Sequence, residues 1–179
     1  MLKYSRTGDE IFTAVDLKEL IRSSFEMAQF KIKPNEFEFI QSIDGNLPKI
    51  KGNFTQLQEV FFNIIDNAYD AIMQRKSDLK EPDYKARLEI SASESGNTME
   101  IMIKDNGIGV KEEDQKKLFT PFFSTKVSSK KGTGLGLYVI QQIIKENHAG
   151  KVEFSSIYKS GSQTRLVLPL HLESVSAGS

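Results

Sequence analysis

The 179-residue chain has no cysteine, only two histidines, and no excess charge of either sign, since 24 basic side chains are balanced by 24 acidic ones. Without cysteine there can be no disulfide framework, zinc–thiolate centre or thiol nucleophile. Two histidines count against a multi-histidine metal site. Zero formal net charge removes the general electrostatic reason to expect nucleic acid or an anionic membrane as partner. No apolar run approaches the ~18 residues of a membrane span, and Met1 to Glu10 lacks the apolar stretch of a signal peptide. What is present is ordinary for a globular chain, 39% apolar and 27% charged, and long enough to bury a real core. These counts predict a soluble cytoplasmic domain whose chemistry rests on oxygen ligands, backbone amides and lysines.

Residues 1–9 read as a leader or linker remnant, residues 10–171 as one domain, and residues 172–179 as a flexible tail. Within the domain, Glu10–Val15 reads as a short strand, and Asp16 with Glu19 three residues on is a capping-box pattern. The helix that follows aligns Leu17, Leu20, Ile21, Ser24, Phe25 and Ala28. Glu36–Ile40 alternates as a half-buried strand, and Asp44-Gly45-Asn46 turns the chain into a second strand over Pro48–Gly52. Phe54–Gln74 carries the strongest helical periodicity, through Leu57, Val60, Phe61, Ile64, Ile65, Ala68, Ala71 and Ile72. Residues 75–86 read as a connection, followed by a hairpin of Arg87–Ser93 and Thr98–Lys104. After a long loop with a short helix at Glu112–Phe119, a helix over Leu137–Asn147 precedes a last hairpin, Lys151–Ser156 and Gln163–Leu168. Hairpins combined with helices predict an α+β fold, a two-layer sandwich with a mostly antiparallel mixed sheet covered on one face.

Four clusters carry chemistry. Glu59, Asn63 and Asn67, four residues apart on the long helix, share a face. Two aligned amides suit a hard cation such as Mg²⁺, while a solvated polar stripe is the plainer alternative. Asp105-Asn106-Gly107-Ile108-Gly109 follows a strand: a carboxylate at a strand end can accept from an exocyclic amine, and glycines let backbone approach a flat ring. The same residues are also what an ordinary turn uses. Leu118 to Lys126 contains Phe119, Phe122 and Phe123, suited either to anchoring a lid over a ring or to packing the loop on its own core. Lys126, Lys130 and Lys131 concentrate positive charge just beyond, which suits a polyphosphate or a solvated loop. Gly132-Thr133-Gly134-Leu135-Gly136-Leu137 then opens a helix, where glycine amides and the helix dipole favour an anion, the alternative being a flexible entry loop. Its spacing is neither that of a Rossmann turn nor that of a P-loop. In chain order the four supply a cation helix, an adenine-type carboxylate, an aromatic and basic lid, and a phosphate cradle. Together they make a Mg-nucleotide site far more specific than any one of them.

With these residues in view, the sequence resembles the ATP-binding catalytic domain of sensor histidine kinases. That domain belongs to a superfamily shared with DNA gyrase, a heat-shock chaperone and the MutL mismatch-repair proteins. The resemblance spans roughly residues 10–170: an N box at Asn63–Ala68, a G1 box at Asp105–Gly109, an F box at Phe119–Phe122 and a G2 box at Gly132–Leu137. The Pro-Phe-Phe-Ser-Thr-Lys form resembles the short-lid, nitrogen-regulator type. The resemblance implies Mg²⁺ on Asn67 with Asn63 in support, the adenine amino group on Asp105, and Gly107 and Gly109 aiding the close fit. It places Ile64, Ile108, Val110 and Leu137 in the pocket walls and Phe122 in the lid that covers the nucleotide. Lys126 becomes the lid cation, and Gly132, Thr133, Gly134, Leu135 and Gly136 surround the phosphates. Ser162 matches a Ser/Thr that backs the adenine-binding aspartate.

The implied activity is transfer of the γ-phosphoryl of Mg-ATP to a histidine on a separate phosphoacceptor domain, with a response regulator downstream. Asn63, Asn67 and Lys126 would be the catalytic residues, and the fragment is expected to be a monomer. Asp70 departs from the pattern, standing where many members direct a lysine at the phosphates. Asn63 stands where the superfamily's hydrolases carry a glutamate base, and an amide cannot be that base, although Glu59 lies one turn away. The alternatives are therefore an ATP-hydrolysing conformational clamp and a non-catalytic nucleotide-binding module. Neither His148 nor His171 lies in an acceptor motif, so both are expected to be structural or solvent-facing.

Overall fold

The computed structural model describes residues 12–118 and 136–172. Strand β1 (Phe12–Val15) leads into helix α1 (Leu17–Met27), whose N-cap Asp16 accepts from Lys18 N at 2.9 Å and Glu19 N at 3.4 Å. Glu19 turns its own carboxylate to Arg22, so the cap rests on the aspartate. A 3₁₀ turn at Pro34–Glu36 delays strand β2 to Glu38–Ile43, because proline sets the turn and its neighbours follow. Strand β3 (Ile50–Asn53) ends at Asn53, which caps helix α2 (Phe54–Leu79) by accepting from Gln56 N at 3.0 Å. Helix α2 runs five residues past the expected Gln74, to a left-handed cap at Lys80.

Strands β4 (Arg87–Ser95) and β5 (Thr98–Asp105) pair as far as Ser95 with Thr98, leaving a two-residue turn in which Gly96 takes φ +62°. A short helix α3 (Glu112–Gln115) follows. Helix α4 (Gly136–Gln141) continues as a π-helix over Gln142–Asn147, and β6 (Lys151–Ile157) and β7 (Gly161–Pro169) form the last hairpin. The main sheet has the order β2-β4-β5-β7-β6, parallel at β2–β4 and antiparallel elsewhere. The two strands flanking Asp44-Gly45-Asn46 do not pair with each other: β3 pairs with β1 as a separate antiparallel ribbon.

Alternation decides the layers. Leu88 and Ile90, Met99, Ile101 and Ile103, and Leu166 and Leu168 are buried on one face of three adjacent strands. Against them lie Phe61, Ile64, Ile65 and Ala68 of α2, Leu20 and Ile21 of α1, and Ile140 and Ile144 beyond Gly136. The opposite face is polar, where Arg165 pairs with Glu100 and, at 3.0 Å, with Glu153 across the strands. The expected two-layer α+β sandwich is the observed one. Its long central helix packs on the sheet, and at Ala71 it meets the turn that leaves β5.

Candidate functional site

Helix α2 supplies the first wall. Its 3.6-residue period puts Asn63, Asp66, Asn67 and Asp70 on one flank, all partly buried, while Ile64, Ile65 and Ala68 turn into the core. Glu59, one turn earlier, is exposed. Asp66 and Asp70 both hold Lys31, from the turn after α1, at 2.6 and 2.8 Å. Burial alone would lower the Lys31 pKa, but the hydrogen bonds and charges of the two aspartates outweigh it and hold the ammonium above its ordinary value.

Asp105 ends β5, and the chain then turns across α2. Ile108 N donates to Ala71 O at 2.9 Å, one turn past Asn67. A Cβ on Gly107 would lie 2.5 Å from the Ala71 carbonyl carbon, so glycine is what lets the turn sit on the helix backbone. Gly109 takes φ +75°, and a Cβ there would meet Ile157 O at 2.4 Å in the β6–β7 hairpin. The turn is thus gripped between helix and hairpin. The Asp105 carboxylate accepts from Gly107 N at 2.8 Å and from the Ser162 amide, its neighbour in the β5–β7 register. Burial nevertheless pushes Asp105 up to about 7, with the two amide bonds pulling in the opposite direction. An acceptor held short of its full hydration is well matched to a ligand N–H.

Ser162 reaches Asp105 through its amide, because its hydroxyl is committed elsewhere. Ser156 Oγ accepts from Val110 N at 2.8 Å and donates its one proton to Gly161 O at 3.0 Å. The 2.9 Å contact between Ser162 Oγ and Ser156 Oγ is therefore donated by Ser162. Ile64 and Ile108 are buried, each 5% exposed, while Val110 and Leu137 are partly buried.

A second ring of residues holds the turn from behind, and sequence reasoning missed it. Asn106 Nδ2 donates to Lys85 O at 2.8 Å, and Asn106 Oδ1 accepts from Arg87 N at 2.8 Å. Tyr84 donates its hydroxyl to Asn106 O at 2.8 Å, and burial, the largest influence on it, pushes the phenol up to about 12. Arg75 donates to the same carbonyl at 2.9 Å, pairs with Glu81 at 2.8 Å and stacks over the Tyr84 ring at 4.5 Å. Arg75 lies in the part of α2 beyond the expected helix end, and its partner Asn106 is 31 residues away. No local pattern announces such a contact.

Gly136 opens α4 beside α2: a Cβ placed on it would lie 3.7 Å from Asn67 Nδ2. Phe122, Lys126, Gly132, Thr133, Gly134 and Leu135, with the rest of the F box and its lysines, lie outside the described residues. Among the described residues no three His, Cys, Asp or Glu side chains are grouped to cage a metal ion. Asn63 and Asn67, one turn apart on the partly buried flank, carry amide oxygens of the kind that suits Mg²⁺, a hard ion that keeps several waters and takes further ligands from phosphates. His148 is buried, 3% exposed, with Nε2 accepting from Asn53 N at 3.1 Å and Nδ1 facing Ile143 O at 2.9 Å. It is a structural residue, as expected, while His171 is exposed.

The chain has relatives of known family. Residues 52–172 match the family described as histidine kinase-, DNA gyrase B-, and HSP90-like ATPase, and the chain belongs to that family. It is 33% identical over 171 residues to the signal transduction histidine-protein kinase AtoS of Escherichia coli K12, covering 96% of this chain and 26% of AtoS. It is 32% identical over 159 residues to the sensor histidine kinase ZraS of the same strain, covering 89% of this chain and 31% of ZraS. The chain thus spans about a third or less of these relatives. The solved catalytic domain of the histidine kinase ThkA superposes with a TM-score of 0.71 at 26% identity, covering 89% of this chain and 95% of that one.

Proposed function

We propose that this chain is the ATP-binding catalytic part of a cytoplasmic sensor histidine kinase module, which donates the γ-phosphoryl group of Mg-ATP to a histidine on a separate phosphoacceptor domain. The acceptor would then pass the group to a response regulator. One observation carries the reading. The Asp105 turn and the glycine-opened helix at Gly136, 31 positions apart, dock on successive turns of α2, at Ala71 and at Asn67. Adenine would lie at Asp105, with its amino group donating to the carboxylate. The phosphates would extend toward Asn63 and Asn67, and Gly132 to Gly136 with Lys126 would close over them. Mg²⁺, when bound, would compensate phosphate charge. Transfer needs little covalent help from the protein: an imidazole nitrogen attacks the γ-phosphorus, the bond to the β-phosphate oxygen breaks, and ADP leaves. The Asn63 amide cannot deprotonate water, which favours transfer over hydrolysis.

The test is to add γ-labelled ATP and the chain to candidate phosphoacceptor domains. Label is expected on the acceptor histidine with the wild-type chain, and not with Asn67→Ala or Asp105→Ala. Labelling that survives both substitutions would refute the site. Release of phosphate to water without any acceptor, abolished by Glu59→Gln, would instead identify a hydrolase. Tight ATP binding with no transfer to any acceptor would identify a regulatory module.

A further inference from the structure

We propose that Lys31 is a specificity-determining residue of the nucleotide site, offsetting part of the negative charge of Asp66 and Asp70 so that a triphosphate can approach the Asn63–Asn67 flank of α2. The inference rests on the functional reading above and adds a residue from a different part of the chain. Lys31 is 35 residues from Asp66 in sequence, in the turn after α1, and its ammonium lies 2.6 Å from Asp66 Oδ1 and 2.8 Å from Asp70 Oδ1. The two carboxylates are one helical turn apart on the flank that carries the amides, Asp66 three residues from Asn63 and Asp70 three from Asn67, and side chains at that spacing lie about 5–6 Å apart at Cβ. Ligand phosphates reaching Asn67 would therefore meet two negative charges at short range. These charges are partly withdrawn from water, with Asp66 19% and Asp70 26% exposed, so solvent screening is incomplete. Lys31, at 36% exposure, supplies one compensating positive charge shared between them.

The consequence depends on ligand charge. Removing the ammonium penalises ATP more than ADP, and leaves adenosine, which carries no phosphate, unaffected. Calorimetric titration of the full chain with Mg-ATP, Mg-ADP and adenosine at several salt concentrations tests this, with thermal melting as a control. Lys31→Met keeps most of the side-chain stem. It is expected to weaken Mg-ATP binding about tenfold at low ionic strength, ADP less and adenosine not at all, with the loss shrinking as salt rises. Lys31→Arg should retain ATP affinity. Adding Asp66→Asn and Asp70→Asn to Lys31→Met should restore it, which also covers the case in which the single variant folds poorly. Equal weakening for all three ligands, unchanged ATP affinity in Lys31→Met, or no recovery in the triple variant would each overturn the proposal. A wild-type chain that fails to bind Mg-ATP overturns the functional reading itself, and this inference with it.

Discussion

At the scale of single residues, the burial of Asp105 opposes stability at high pH. Its carboxyl is raised from 3.8 to about 7 by burial, so the folded state prefers the protonated form. Its contribution to stability is complete below the unfolded value, and is lost as pH rises through about 7. Asp105→Asn keeps an oxygen for Gly107 N while removing the charge. The variant is therefore expected to melt at a higher temperature than wild type at pH 8, with the difference vanishing near pH 4, and to lose measurable ATP binding. A melting point unchanged at pH 8 would contradict the desolvation account. For the wild type, ATP affinity should rise as pH increases through about 7, because the ionised carboxylate is the better acceptor for adenine. Asp105 itself was legible in the sequence, from a strand followed by Asp-Asn-Gly. Its altered acidity was not, since that depends on what surrounds the strand end.

At the scale of elements, the turn after β5 is held by its own side chains and also from outside, by Arg75 near the end of α2 and by Tyr84 beyond it. Arg75 and Tyr84 converge on the Asn106 carbonyl, and Arg75 also reaches Ser160 O at 3.4 Å in the β6–β7 hairpin. Arg75→Met should cost about 1–2 kcal/mol, the range of a lost charged hydrogen bond with a partly exposed ion pair. Hydrogen exchange is expected to accelerate at residues 105–109 and at the hairpin turn while the β4–β5 pairing stays protected. Acceleration spread evenly over the sheet would show a general destabilisation instead. The extension of α2 past Gln74 explains why this support was not apparent. The stretch after Gln74 is charged and lacks the apolar rhythm that marks a helix, and it is helical because Arg75 and Lys76 find tertiary partners, Lys76 donating to Glu36 O at 2.8 Å.

At the scale of the whole molecule, His148 joins parts that the sheet does not. Its ring accepts from Asn53 at the end of the β1–β3 ribbon, packs against Phe12 of that ribbon at 4.8 Å, and faces Ile143 O in the π-helical segment. This requires the neutral ring with its proton on Nδ1. Burial holds its pKa below the ordinary 6.5, so its stabilising contribution is full above that value and is lost as pH falls toward the depressed folded one. His148→Ala should cost about 1–3 kcal/mol by removing the buried ring that accepts from Asn53 N and faces Ile143 O, and should flatten the acid side of the stability profile. Urea unfolding at pH 5.5 and pH 8 measures both effects, and an unchanged acid slope would remove His148 as its cause.

The division between chain and fold follows from the range of the forces involved. Periodicity, caps and turn residues act over a few positions, so the helices, the hairpins and the two-layer architecture were readable from the sequence alone. So were the Asn63–Asn67 flank and the Asp105 turn, because each is a local pattern tied to a repeating geometry. The separate β1–β3 ribbon, the Arg75–Tyr84–Asn106 support, the burial of Asp105 and the Lys31 clamp were decided only by tertiary structure. Each depends on groups brought together from distant positions, and on how far that packing removes them from water. The sequence by itself determined which chemical groups the site contains. The packing decided which charges are compensated there, and from how far along the chain the compensation comes.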